Sequence, residues 1–130
     1  PKQHEFWIDP SSKEGRRFIK DLIGELIGGY DLDGIQLDYI RYPFNGKGGE
    51  MGYDFAGRIA FERETRLSLD RIDDRVRKAW VNWKSKQVSS LVQEVSALVR
   101  AAKPQMKISA AVYALPKEQR LNLIQQDWEL

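Results

Sequence analysis

Residues 33–43 read Asp-Gly-Ile-Gln-Leu-Asp-Tyr-Ile-Arg-Tyr-Pro, an apolar run in which Asp38 is followed at once by Tyr39, Arg41 and Tyr42. Side chains alternate along a strand, so Ile35, Leu37 and Tyr39 are expected on one face and Gln36, Asp38 and Ile40 on the other. A carboxylate buried in a strand that served as core alone would be destabilising. At the carboxyl end of a parallel strand it opens instead onto the loops, where the catalytic groups of β/α barrels gather. Arg41 suits an Asp38 that acts ionised, as nucleophile or base. It is equally suited to a carboxylate on a substrate, or to tying down the glycine-containing loop that follows. Asp33 precedes Asp38 by five residues, about 16 Å at ~3.3 Å per residue. It cannot act on the same bond and is expected to fix the turn before the strand.

The surrounding chain must position these groups. Residues 5–8, Glu-Phe-Trp-Ile, read as a short strand closed by Asp9-Pro10, and Ser11 with Glu14 has the spacing of a capping box. Phe18, Ile19, Leu22, Ile23, Leu26 and Ile27 then recur at helical spacing, and Gly28-Gly29 supplies a stop. A strand is expected over about 34–39, followed by a long loop over 43–54 with Pro43, Asn45 and four glycines. A helical region begins near Phe55 and breaks near 67–70. The clearest helix covers about 74–102, with Trp80, Lys84, Val88, Leu91, Val95, Leu98 and Ala102 along one side and Pro104 beyond its end. Residues 106–115, Met-Lys-Ile-Ser-Ala-Ala-Val-Tyr-Ala-Leu, form the last expected strand, and residues 116–128 begin another loop or helix. The resulting order, β-α-β-α-β-(α), favours an α/β fold of parallel strands joined by right-handed crossovers.

Composition removes several functions. The 130 residues are at most one ordinary domain, and 42% apolar with 31% charged residues is a globular balance. Twenty-one Lys and Arg against nineteen Asp and Glu leave a net charge of +2, without the concentrated basic face of a nucleic-acid binder. No apolar stretch approaches the roughly 20 residues that span a bilayer. Absence of Cys excludes disulfides and thiolate metal sites, and a single His with no EF-hand spacing leaves no metal site to expect. No Gly-x-Ser-x-Gly elbow occurs, and no Gly-Lys-Ser/Thr follows the glycines at 46–49, so no phosphate-cradling loop and no cofactor are expected. The first residue is Pro1 rather than Met, and the sequence is expected to be an excised piece of a longer protein.

The stretch from Trp7 to Phe44, WIDPSSKEGRRFIKDLIGELIGGYDLDGIQLDYIRYPF, resembles the core of the glycosyl-hydrolase-like family 10, and KISAAVYALPKEQRLNLIQQDW resembles the strand and loop that come next in that family. The resemblance covers nearly the whole chain. It implies part of a TIM (β/α)8 barrel, roughly half of the ~250 residues a barrel needs, as a fragment of a single domain over residues 1–130. It further implies a glycoside hydrolase of the longer protein acting on a polysaccharide or cell-wall glycan, with an extracellular or cell-envelope location. In the family-18 chitinase pattern, acids fill successive inward positions and end in a general-acid Glu. The matching positions here are Gln36, Asp38 and Ile40, so Asp38 alone matches.

Glycoside hydrolysis usually requires two carboxyl groups, ~5–5.5 Å apart for retention or ~6.5–9.5 Å for inversion. Asp38 is the catalytic candidate. Asp9, at the end of the first expected strand, and Asp127, after the last, are candidates to share its rim, as is a carboxylate elsewhere in the longer protein. Asp9 before Pro-Ser-Ser also fits a simple helix-entry residue. Gln36, Arg41, Tyr42 and Tyr113 complete the expected substrate-binding set, whereas Tyr39 is expected to face the helices. His4 reads as a local hydrogen-bonding residue, and Trp80 and Trp83 as core. Such a fragment is expected to be inactive alone and to self-associate through exposed strand edges. Two other readings stay open. A non-catalytic carbohydrate-binding or scaffold domain would show an aromatic platform without a carboxylate pair. An interaction domain unrelated to sugars would bury Asp38 against Arg41 with no cleft.

Overall fold

The computed structural model describes residues 7–44 and 55–128. Six elements succeed one another: α1 (Lys13–Gly29), β1 (Gly34–Leu37), α2 (Phe55–Thr65), α3 (Asp74–Ala102), β2 (Lys107–Ala110) and α4 (Lys117–Ile124). β1 and β2 pair in parallel, Gly34 opposite Lys107 and Leu37 opposite Ala110. Gly34 permits that approach, because a Cβ there would stand 2.8 Å from the Lys107 carbonyl oxygen.

Several boundaries differ from expectation. Trp7 and Ile8 lie in no strand, and the rest of the expected first strand falls outside the described residues. The described order is therefore α-β-α-α-β-α, with two strands rather than three. The cap of α1 is Ser12, not Ser11: Ser12 Oγ accepts from the Gly15 N–H at 3.1 Å. Ser11 instead donates its N–H to Asp9 Oδ1 at 2.7 Å, and Ser12 N–H bonds the Asp9 carbonyl. That turn consumes the residues before the helix and moves its start along by one. α3 runs over the expected range, capped by Asp73, whose carboxylate accepts from the Val76 N–H.

Packing sorts the helix faces. Ile23 and Ile27 of α1 meet Leu91, Val95 and Val99 of α3, with Met106, while Ile35, Leu37 and Ile108 of the sheet pack against this cluster. Both long helices therefore cover one face of the sheet, and Gln36 and Ser109, paired on the other face, are exposed. Of the broad apolar stripe on α1, Phe18, Leu22 and Leu26 remain exposed. Val99 goes inside at the end of α3, where Leu98 is partly covered and Ala102 exposed. A second cluster joins α2 to the first half of α3 through Phe61, Leu69, Val76, Trp80 and Trp83.

One polar staple ties α1 to α3. The Arg16 guanidinium bonds Ser90 Oγ, the Gln87 carbonyl oxygen and Glu94 Oε1, and Lys20 reaches Glu94 Oε2 at 2.9 Å. The Lys20 hydrogen bond first, and then Arg16, hold the Glu94 carboxyl below its ordinary value of 4.5, while partial burial acts the other way. Its stabilising contribution is complete above that ordinary value and is lost as the pH falls through the lower value of the folded state. Urea unfolding across the acid range should therefore show wild type losing stability more steeply than Glu94→Gln. A difference between them that does not change with pH would overturn this.

Candidate functional site

The exit from β1 breaks the strand's alternation. Tyr39 has a φ of 53°, a left-handed conformation unusual for a residue with a side chain. Its N–H donates to Asp38 Oδ1 at 2.8 Å, and its carbonyl oxygen accepts from the Arg41 N–H at 2.8 Å, closing a tight turn around Ile40. Beyond Leu37 the faces exchange. Ile40 packs with Ile35 and Leu37 on the helix-side core, whereas Tyr39 is 64% exposed and meets Trp7 with ring centroids 5.6 Å apart. The expectation of Tyr39 on the helix face and Ile40 on the other is corrected: a strand period holds only while φ stays extended.

Arg41 sits between the two strand exits, at the centre of an aromatic cluster. It is 7% exposed, and its guanidinium carbon lies 4.8 Å from the Tyr39 ring centroid, 4.9 Å from Phe44, 5.1 Å from Trp7 and 5.3 Å from Tyr113. Rings this close attract a cation through their negative faces, most strongly when water is excluded. One guanidinium nitrogen also donates to the Tyr42 carbonyl oxygen at 3.0 Å. Among the described residues no carboxylate lies within ion-pairing distance of Arg41, so the aromatic setting, and not Asp38, fixes it.

The exits of both strands frame a cavity of about 250 Å³ lined by Asp38, Tyr39, Arg41, Ala111, Val112 and Tyr113. The structure thus brings together Asp38, Arg41 and Tyr113 of the expected set, and adds Tyr39. Asp38 is exposed rather than buried against Arg41, and among the described lining residues it carries the only carboxylate. Tyr113 presents part of its ring, held edge-on to Phe44 at 5.4 Å. An exposed carboxylate, an oriented guanidinium and two phenol rings can together ionise, bind an oxygen-rich ligand and stack on an apolar sugar face.

The remaining candidates lie elsewhere. Tyr42 is 1% exposed, and its hydroxyl donates to Asp9 Oδ1 at 2.9 Å. Asp9 and Tyr42 therefore join the entry of α1 to the exit of β1, and Tyr42 offers no surface for stacking. Gln36 lies on the open face of the sheet, away from the cavity lining. Asp127 pairs with Lys117 at 3.2 Å and borders a separate depression with Ile40, Val88 and Trp128. His4 and most of the long loop lie outside the described residues, and no metal-binding cluster occurs among the described ones. No described helix is long and apolar enough to cross a membrane.

Burial first, and then the Asp9 charge and hydrogen bond, push the Tyr42 phenol far above its ordinary value of 10.0. A folded-state value above the unfolded one contributes stability below pH 10 that is lost as the unfolded phenol ionises at higher pH. Tyr42→Phe should cost about 1–2 kcal/mol at neutral pH, the scale of a hydrogen bond to a partly hydrated charged group. It should also remove part of the alkaline loss. Chemical unfolding at neutral and alkaline pH measures both, and an equal cost at the two pH values would count against the argument.

Comparison with known proteins adds a family. A sequence model of the family described as glycosyl hydrolase-like 10 matches residues 2–129. The chain is also 26% identical over 112 residues to the glycosyl hydrolase YngK of Bacillus subtilis (strain 168). That match covers 86% of this chain and 20% of the relative, so the chain spans about a fifth of the length of that curated protein.

Proposed function

This chain belongs to the glycosyl hydrolase-like 10 family, and from that premise we propose that it forms part of the catalytic domain of a glycoside hydrolase acting on a polysaccharide or cell-wall glycan. Asp38 supplies one of the two carboxyl groups, and Arg41, Tyr39 and Tyr113 bind and orient the sugar. The observation that carries this reading is the exposed Asp38 beside Arg41 and two tyrosine rings, at the carboxyl ends of two paired parallel strands. We further propose that β1 and β2 are neighbouring strands of a (β/α)8 barrel, with the side that bears Gln36 and Ser109 turned to its interior. The parallel register and the packing of α1 and α3 on the other face support this.

A second reading, a carbohydrate-binding domain without catalysis, is favoured by one feature: the cavity pairs aromatic rings with a single carboxylate among the described residues. Hydrolysis and binding of a panel of cell-wall and storage glycans by the full-length protein separates the two. Release of new reducing ends supports the enzyme. Saturable binding without cleavage supports the binding domain, and a protein that neither binds nor cleaves overturns both.

A further inference from the structure

We infer that Gln126 is a positioning residue whose side-chain amide locks the two strand exits together and so sets the places of Asp38, Arg41 and Tyr113 around the cavity; its functional meaning rests on the carbohydrate reading above. Gln126 is 3% exposed. Its Nε2 donates to the Ile40 carbonyl oxygen at 3.3 Å and to the Ala111 carbonyl oxygen at 3.1 Å, while its Oε1 accepts from the Tyr113 N–H at 2.9 Å. Two acceptors and one donor match a primary amide, and the backbone partners leave no doubt which end is nitrogen. Ile40 stands between Tyr39 and Arg41, and Ala111 and Tyr113 are themselves lining residues. One side chain therefore bridges both walls of the cavity from behind.

The local chain is shaped to deliver it. Gln125 takes a left-handed conformation, with φ of 50°, at the end of α4 and turns the backbone back toward the sheet. The Ile124 carbonyl oxygen accepts from the Tyr42 N–H at 3.1 Å, and Trp128 Nε1 donates to the Tyr113 carbonyl oxygen at 3.3 Å. Residues 124–128 thus strap the β1 exit to the β2 exit, with Gln126 as the central clasp. Glu lacks the two donors at neutral pH, Met lacks every polar atom, and Asn is one methylene short.

The test uses the full-length protein with isotopically labelled arginine, Arg41 being assigned with Arg41→Lys. The four rings should shift the Arg41 δ-methylene protons well away from those of other arginines. Gln126→Met should collapse that shift while unfolding remains cooperative. On whichever glycan is cleaved, it should lower kcat/KM by roughly 10- to 100-fold, the scale of a small misplacement of reacting groups. Gln126→Glu should behave likewise at neutral pH and recover part of both signals at low pH, where the protonated acid regains one donor. A merely stabilising role would not produce that pH-dependent recovery. An unchanged Arg41 shift in folded Gln126→Met overturns the inference. Should Gln126→Met fail to fold, the wild-type Tyr113 amide decides: slow exchange with solvent supports the clasp, and exchange at the rate of a free loop amide overturns it. If no glycan is cleaved, the enzyme reading falls while the Arg41 shift still judges Gln126.

Discussion

Asp38→Asn in the full-length protein should lower glycan turnover at least ~10³-fold, about 4 kcal/mol of barrier, with the fold intact. The substitution is nearly isosteric, and the side chain it alters is exposed. The remaining amide oxygen can still accept from the Tyr39 N–H that now binds Asp38 Oδ1. What disappears is the negative charge and the capacity to take up or release a proton, on which both glycosidase mechanisms depend. The unfolding midpoint should therefore stay within about 1 °C of wild type, because surface changes of this kind usually lie within ±0.5 kcal/mol. Turnover and unfolding must be measured on the same preparation. Equal losses of both would mean that Asp38 supports the strand exit rather than the chemistry. Loss of glycan affinity alone, in a protein that cleaves nothing, would select the binding domain.

Phe61→Ala is the converse case, with a large effect on stability and little on the site. Phe61 is completely buried, edge-on to Trp80 at 5.1 Å and to Trp83 at 6.0 Å, while the two indoles stack at 5.2 Å. Removing a buried phenyl ring costs about 3–5 kcal/mol from lost transfer energy and the cavity left behind. The two edge-to-face contacts place this site toward the upper part of that range. The Trp83 indole N–H is fixed by Glu64 Oε2 at 2.7 Å, so the neighbouring rings are poorly free to collapse into the space. None of the residues in this cluster lines the cavity at the strand exits. Folded Phe61→Ala should thus keep its glycan kinetics at low temperature while its urea midpoint falls sharply. A cost below about 1 kcal/mol would show that α2 repacks onto α3 and that the aromatic wedge is dispensable.

Long periodic elements were legible from local spacing, although the cap of α1 fell at Ser12 and not at the expected Ser11. α3 was legible from Asp74 to Ala102 because an apolar stripe at helical period and a following Pro104 are both short-range signals. The helix-side placing of Ile35 and Leu37, opposite Gln36, came from strand alternation, and the run around Asp38 carried the family resemblance that the match over residues 2–129 then showed. Tertiary structure alone decided how the rim is built. Tyr39 adopts a positive φ that nothing in its own type favours, and this exchanged the faces of Tyr39 and Ile40. Tyr42 had equal standing with Tyr113 in the sequence, but its hydroxyl found Asp9, 33 positions away, and its ring was buried. Gln126 carried no signal, since a glutamine in a polar segment looks solvated until a carbonyl 86 positions away meets its amide. Periodicity records what each residue does to its neighbours three or four positions along. Hydrogen bonds and ring contacts that close a site join segments whose meeting depends on the packing of the whole chain.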